Sequence, residues 1–208
     1  MKYIDEHSFD TLETTEPSSK LMWESGERKL LQKTPIFNLN QIHRKSQDGR
    51  EGDFVEIESP QWVNIVPVFK GTDGIERFVM VRQFRHGSES VTIEFPAGLV
   101  DEGEEPVQAA LREMEEETGI RVHKIKEIGC VNPNSAYIST RGHFYLAEEL
   151  EELGTRHFDA NEQIDTVTIP CSEVLNSLGT GDYDNGVMCM SAFFYLRDRK
   201  KGFENEKK

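Results

Sequence analysis

The stretch Pro106 to Gly119, PVQAALREMEEETG, constrains this chain most, because its pattern specifies a helix with a defined start, a defined stop and an unusual surface. Proline suits the first helical position, where its missing N–H has no intrahelical partner to lose, and glycine takes up the left-handed conformation that closes a helix. Val107, Ala110, Leu111 and Met114 recur at the 3, 4, 7 spacing of one buried stripe. At about 100° per residue, Glu113, Glu116 and Glu117 fall within a single arc of about 100°. Glu115 points away from that arc and reads as a solvated surface residue.

Three carboxylates facing one space repel each other by a few tenths of a kcal/mol per i,i+4 pair, and by more if partly buried. Something positive should relieve this. Arg112, one turn before Glu116, can hold that carboxylate by an i,i+4 pair and is expected to orient it. Hard oxygen donors select Mg²⁺, or Mn²⁺, over zinc, and Mg²⁺ takes one or two protein carboxylates, several waters and substrate phosphate oxygens. Such a cation also lets an acidic protein bind a phosphate ester.

Before the helix, strand patterns run over Ile36 to Arg44, Asp53 to Glu58, Trp62 to Phe69, Phe78 to Phe84 and Val91 to Phe95, separated by turn-forming stretches such as Gln47-Asp48-Gly49 and Gly71-Thr72-Asp73-Gly74. After it come strands near Lys126 to Val131, Gly142 to Ala147 and Gln163 to Ile169, then helices over Cys171 to Leu178 and Gly186 to Arg197. This order predicts a mixed α+β domain with helices packed on sheet faces. Ser59-Pro60 marks a boundary between an N-terminal extension with a small antiparallel sheet (1–60) and the main domain (61–208).

The formal net charge of −14 opposes binding to a nucleic-acid backbone, which needs clustered Lys and Arg. No apolar run approaches the roughly 20 residues that span a bilayer, so no membrane association is expected. The first twenty residues carry acids and no apolar core, unlike a signal peptide. The three cysteines Cys130, Cys171 and Cys189 are odd in number and far apart, with no pair at metal-ligand spacing, which predicts reduced, structural thiols in a cytoplasmic protein. No histidine spacing of the HExxH kind, Gly-x-Gly-x-x-Gly or Walker sequence occurs, and Asp182-Tyr183-Asp184-Asn185-Gly186 reads as a turn, its glycine one position early for a calcium loop.

Gly98, five residues, Glu104, seven residues, then Arg112-Glu113-Met114-x-Glu116-Glu117-x-Gly119-Ile120 resembles the complete Nudix box, and Glu94-Phe95-Pro96-Ala97 resembles its lead-in. The chain is similar to the ADP-ribose and nucleotide-sugar pyrophosphatase branch of that family. The resemblance implies an α/β/α sandwich with a mixed sheet, in which the Ala97 carbonyl joins Glu113, Glu116 and Glu117 as metal ligands. It implies hydrolysis of a small nucleoside diphosphate linked to a sugar, the cation acidifying the attacking water and drawing charge from the diphosphate. A catalytic base is expected from a loop after the box, with Glu162 the leading candidate and Asp165 the next, beside Glu116 and Arg112.

Arg82, Arg85, Glu94 and Trp62 are expected on the substrate, the guanidinium groups by bidentate contact with phosphate. The family further implies a homodimer in which the N-terminal sheet contacts its partner and shapes the pocket. Asn132-Pro133-Asn134 stands where many ADP-ribose enzymes have Ser-Pro-Gly. GDP-mannose, another sugar nucleotide or a dinucleotide therefore stay open as substrates. The alternative from another class is a Nudix-fold nucleotide sensor without turnover.

Overall fold

The computed structural model describes residues 18–154 and 164–205. The described residues up to Glu58 form one compact unit and those from Ser59 onward another.

The first unit is a three-stranded antiparallel sheet, β1 (Trp23–Lys33), β2 (Asn38–Ser46) and β3 (Glu51–Glu58), in that order. Alternation along β2 buries Asn40 and Ile42. Polar cross-strand contacts hold the register: Asn40 donates to Glu58 at 3.0 Å, and Arg28 pairs with both Glu56 and Glu58. β1 begins well before the strand pattern expected from the sequence and stays exposed along nearly its whole length, so it has no apolar alternation to announce it.

The second unit is a mixed sheet sandwiched between helices. Its strands are β4 (Trp62–Lys70), β5 (Glu76–Arg85), β6 (Ser90–Glu94), β7 (Ala97–Leu99), β8 (Ile120–Val131), β9 (Gly142–Glu152) and β10 (Asp165–Pro170). The main path is β10-β5-β4-β9-β8, with only the β4–β9 pair parallel. β4 and β5 stay paired only at Val68↔Phe78 to Lys70↔Glu76 and then diverge. Beyond that point β4 takes β7 as its partner, through Trp62↔Leu99 to Asn64↔Ala97, while β5 takes β6. The segment Phe95-Pro96 spans the split, anchored by a hydrogen bond from Ile65 N to Pro96 O at 2.8 Å.

The helices are α1 (Pro106–Thr118), α2 (Cys171–Ser177) and α3 (Gly186–Asn205). Alternation sorts β4 and β9 onto two cores. Val63, Ile65, Tyr145 and Ala147 pack under α1 with Ala109, Ala110 and Met114. Val66, Val68, Phe144 and Leu146 face the other way, against Phe78, Phe95, Val174, Met188, Phe194 and Tyr195. Fully burying a side chain of this kind contributes roughly 1.5–3 kcal/mol, which explains why β4 reads as a continuous apolar run. The buried stripe of α1 differs from expectation at one edge: Ala109 is fully buried and Leu111 only partly so. Gly119 closes the helix at φ 69°, donating its N–H to the Glu115 carbonyl at 2.9 Å.

Among the described residues no helix is long and apolar enough to cross a membrane. Cys130, Cys171 and Cys189 are unpaired, with Cys171 buried and Cys189 exposed.

Gly142 opens β9 where the Trp62 ring crosses it, and a Cβ there would stand 2.2 Å from the indole. Gly142→Val should therefore lower stability by about 1–3 kcal/mol through overpacking. Urea denaturation would show this as a lower midpoint at unchanged slope.

Candidate functional site

The site grows out of the split between β4 and β5. Phe95 is fully buried, edge-on to Phe78 at 5.1 Å, and this fixes the chain that enters β7. Ala97 pairs with Asn64, and its N–H donates to Glu117 Oε2 at 3.1 Å. Glu117 is 4% exposed. Gly98, opposite Val63, lies so close to α1 that a Cβ would stand 1.9 Å from Glu113 Oε1. The glycine is thus required by a carboxylate that shares its space, since its backbone φ is not in the left-handed region.

Arg112 organises the acids. Its Nε and Nη2 donate to the two Glu104 oxygens at 3.1 and 3.0 Å, and Nη1 donates to Glu113 at 2.8 Å and Glu116 at 2.9 Å. Nη2 also donates to the Leu99 carbonyl at 3.0 Å, tying the helix to the loop before it. The hydrogen bonds to Glu104, then the charge of Glu113, hold this guanidinium well above the ordinary arginine value against the opposing effect of burial. In return Arg112, ahead of the backbone N–H of Asp101, holds the Glu104 carboxyl below the usual carboxylate range. The i,i+4 pair with Glu116 is therefore one of three carboxylate contacts. Glu104 is the partner that helical spacing could not supply, because a loop returns it to the helix.

At the far end of α1, Thr166 of β10 donates its hydroxyl to the Glu117 carbonyl at 3.2 Å. No local pattern marked Thr166. Asp165, beside it, accepts from Arg82 Nη2 at 2.9 Å, and both are exposed. Glu162 lies outside the described residues.

Arg85 makes a two-point contact with Glu94, Nε to Oε1 at 3.0 Å and Nη2 to Oε2 at 2.7 Å, while the Thr92 hydroxyl donates to Oε1 at 2.5 Å. Burial works to raise the Glu94 carboxyl, but Arg85 and Thr92 outweigh it and hold it below the ordinary range. Glu94 is 3% exposed and anchors Arg85.

Trp62 does not join this group. Its side chain lies on the opposite face of the sheet from α1, against Phe144 at 5.5 Å, edge to face. The parity of β4 puts it there: Val63 and Ile65 face α1, so Trp62 cannot. Trp62 was expected on the substrate; the structure places its ring in the core on this opposite face.

The donors around Ala97, Glu113, Glu116 and Glu117 are all oxygen, which suits a hard divalent cation. A buried carboxylate and a neighbour that tolerates no Cβ form a built cradle rather than a solvated helix face.

The sequence profile of the NUDIX domain matches residues 59–186. This chain belongs to the Nudix family. It is 32% identical over 154 residues to an ADP-ribose pyrophosphatase of Bacillus subtilis (strain 168), covering 73% of this chain and 83% of the relative. It is 27% identical to the ADP compounds hydrolase NudE of Escherichia coli (strain K12), over 67% of this chain and 72% of that one. The fold matches a crystal structure of an ADP compounds hydrolase with TM-score 0.74 at 21% identity, covering 86% of this chain and 95% of that one. Nudix hydrolases generally require a divalent metal, consistent with the oxygen cradle described above.

In this Nudix chain the segment after β8 is held by its own side chains: Asn132 donates to the Ile138 carbonyl and accepts from Asn134 N, and Asn134 accepts from Ala136 N. These asparagines build turns by side-chain mimicry of backbone.

Replacing Arg85 with Met should leave a buried carboxylate unpaired and destabilise the protein by roughly 1–3 kcal/mol at neutral pH. Because the folded-state Glu94 value is depressed, its stabilisation is complete above the ordinary carboxylate range and is lost as pH falls through the depressed value. Denaturation of both proteins from pH 7 down to pH 3 should show the difference narrowing with acidity.

Proposed function

We propose that this chain hydrolyses the diphosphate bond of ADP-ribose or a related nucleoside diphosphate sugar in the presence of Mg²⁺, giving a nucleoside monophosphate and a sugar phosphate. The observation that carries the reading is the intact acid cradle, with Glu113 and Glu116 on Arg112 and Glu117 on Ala97 N–H. The relative named ADP-ribose pyrophosphatase, matched over most of both chains, supports the substrate class.

In this reading Glu113, Glu116, Glu117 and the Ala97 carbonyl hold Mg²⁺, with Mn²⁺ as a substitute. When bound, the cation supplies an acidified water and neutralises diphosphate charge. Arg112 keeps Glu113 and Glu116 converged while substrate enters. Gly98 leaves room for the Glu113 carboxylate, and Thr166 holds the C-terminal end of α1. Attack of water on one phosphorus forms a P–O bond as the bridging P–O bond breaks, and the proton lost by water passes to a carboxylate, Glu162 in this proposal.

Magnitudes separate the two arginines. The exposed Arg82–Asp165 pair contributes about 0–1 kcal/mol and is readily exchanged for a diphosphate oxygen. Arg85 would leave a buried carboxylate behind, so it acts on phosphate only from its place on Glu94.

We further assign a homodimer formed through the first unit, whose exposed apolar side chains Leu30, Leu31, Phe54 and Val55 suit a partner surface. The unpaired thiols fit the reducing cytoplasm. Light scattering should give twice the mass of 23.8 kDa. Leu30→Glu with Phe54→Glu should shift it toward the monomer.

A regulatory reading has one observation in its favour. A relative named methanol dehydrogenase activator from Bacillus methanolicus is 31% identical over 127 residues.

The deciding assay incubates the protein and Mg²⁺ with ADP-ribose, GDP-mannose, UDP-glucose, NADH and diadenosine polyphosphates, and reads phosphate after phosphatase treatment. Turnover of ADP-ribose is expected, with kcat/KM lowered about a hundred-fold in Glu116→Gln, roughly 2.7 kcal/mol of transition-state stabilisation. Gly98→Ala should lose activity while keeping its fold by circular dichroism. Tight binding without turnover of any compound would reject hydrolysis of this panel in favour of the regulatory reading.

A further inference from the structure

We propose that Glu127, Cys130 and His143 form a second cation site, for a borderline transition ion of the Zn²⁺ type, separate from the carboxylate cradle. One ligand atom from each of the three lies within 4.8 Å of the others. His143 Nε2 is 3.9 Å from Cys130 Sγ, while Glu127 Oε1 lies 3.2 Å from Nδ1; an imidazole gives one ion a single nitrogen, and Nε2 is the one near the sulfur. Tetrahedral zinc with its usual bonds to sulfur and nitrogen sets those two ligand atoms about 3.6 Å apart. The sulfur and Nε2 are thus within a few tenths of an ångström of their bound separation, and the exposed Glu127 side chain joins them by turning from Nδ1 toward the ion.

The strand geometry is what gathers them. Along a regular strand, residues three apart point to opposite faces. In β8 the register jumps between Glu127↔Tyr145 and Gly129↔Phe144, so Ile128 is an extra residue and Cys130 comes opposite His143. The bulge turns Glu127 and Cys130 to one face, the face of His143, and bulges characteristically re-aim side chains in this way.

The chemistry of the donors differs from that of the Nudix cradle. Thiolate, imidazole and carboxylate together favour zinc, whereas Mg²⁺ prefers oxygen alone. A cation already rests on the sulfur: Arg141 Nε lies 3.1 Å from Cys130 Sγ, and its Nη2 donates to the Cys130 carbonyl at 2.9 Å. Arg141 is exposed and can swing away as the ion enters. Binding releases the Cys130 thiol proton to solvent and forms the metal–sulfur bond. Gln61 Oε1, 2.6 Å from His143 Nε2, gives up that hydrogen bond when the ion takes the nitrogen, and the neutral ring then carries its proton on Nδ1.

Cobalt(II) reports this site directly, because a thiolate ligand gives it a charge-transfer absorption that oxygen ligands do not. The full chain titrated with Co²⁺ in millimolar Mg²⁺ should develop that near-ultraviolet band to saturation at one equivalent, and Zn²⁺ should displace it. Cys130→Ser should abolish the band. His143→Ala and Glu127→Gln, the latter at an exposed position with little folding risk, should weaken Co²⁺ binding by about tenfold or more. Cys189→Ser and Glu116→Gln should leave it unchanged. Absence of the band, its persistence in Cys130→Ser, or unaltered affinity in both Glu127→Gln and His143→Ala would overturn the proposal.

Discussion

The structure of the catalytic unit depends on the placement of one guanidinium among carboxylates. Glu104, Glu113 and Glu116 would repel each other, and all three converge because Arg112 donates to each and to the Leu99 carbonyl as well. Hydrogen bonds between ionised groups are roughly twice as strong as neutral ones, and here they lie partly out of solvent. The clamp therefore fixes the loop after β7 and the acidic face of α1 relative to each other, before any cation or substrate is considered. Glu117 stands outside the clamp and is held instead by the Ala97 N–H.

That arrangement needs a place in the sheet, and the divergence of β4 from β5 supplies it. Two strands that stayed paired along their length would leave no room for Phe95-Pro96-Ala97-Gly98 to cross. β4 resolves the open edge by pairing with β7, so the backbone groups exposed by the split are used rather than left unsatisfied. The apolar alternation that stabilises β4 on both faces also decides which residues reach the acids. Val63 and Ile65 support α1 from beneath, whereas Trp62 and Asn64 belong to the α3 side, where Asn64 accepts the Ser191 hydroxyl.

The ion pairs of the unit fall into two classes with different consequences. Exposed pairs such as Arg82–Asp165 contribute little and can be exchanged for other partners. Arg85–Glu94 and the Arg112 network include buried or half-buried carboxylates, where removal of one partner leaves a costly uncompensated charge. A Nudix site of this kind thus combines a rigid acidic frame with a smaller set of replaceable contacts.

The sequence by itself determined the elements whose signal is local. The Pro106 start, the Gly119 stop, the carboxylates on one arc of α1 and the strand patterns of β4 and β9 follow from backbone chemistry and periodicity, and the helix with its acids led to the family. Tertiary structure alone decided the rest. β1 carries no buried stripe, so its pattern is silent until β2 pairs with it. Glu104 and Thr166 reach α1 from a loop and from a distant strand, at separations that no helical wheel encodes. Trp62 went to the other face because parity, set by Val63 and Ile65, outranks its capacity to stack. Cys130, read as an isolated thiol, meets Glu127 and His143 only because one extra residue in β8 reverses which way it points. Spacing along a chain specifies direction only while the strand stays regular, and a bulge breaks that rule without leaving a mark in the composition.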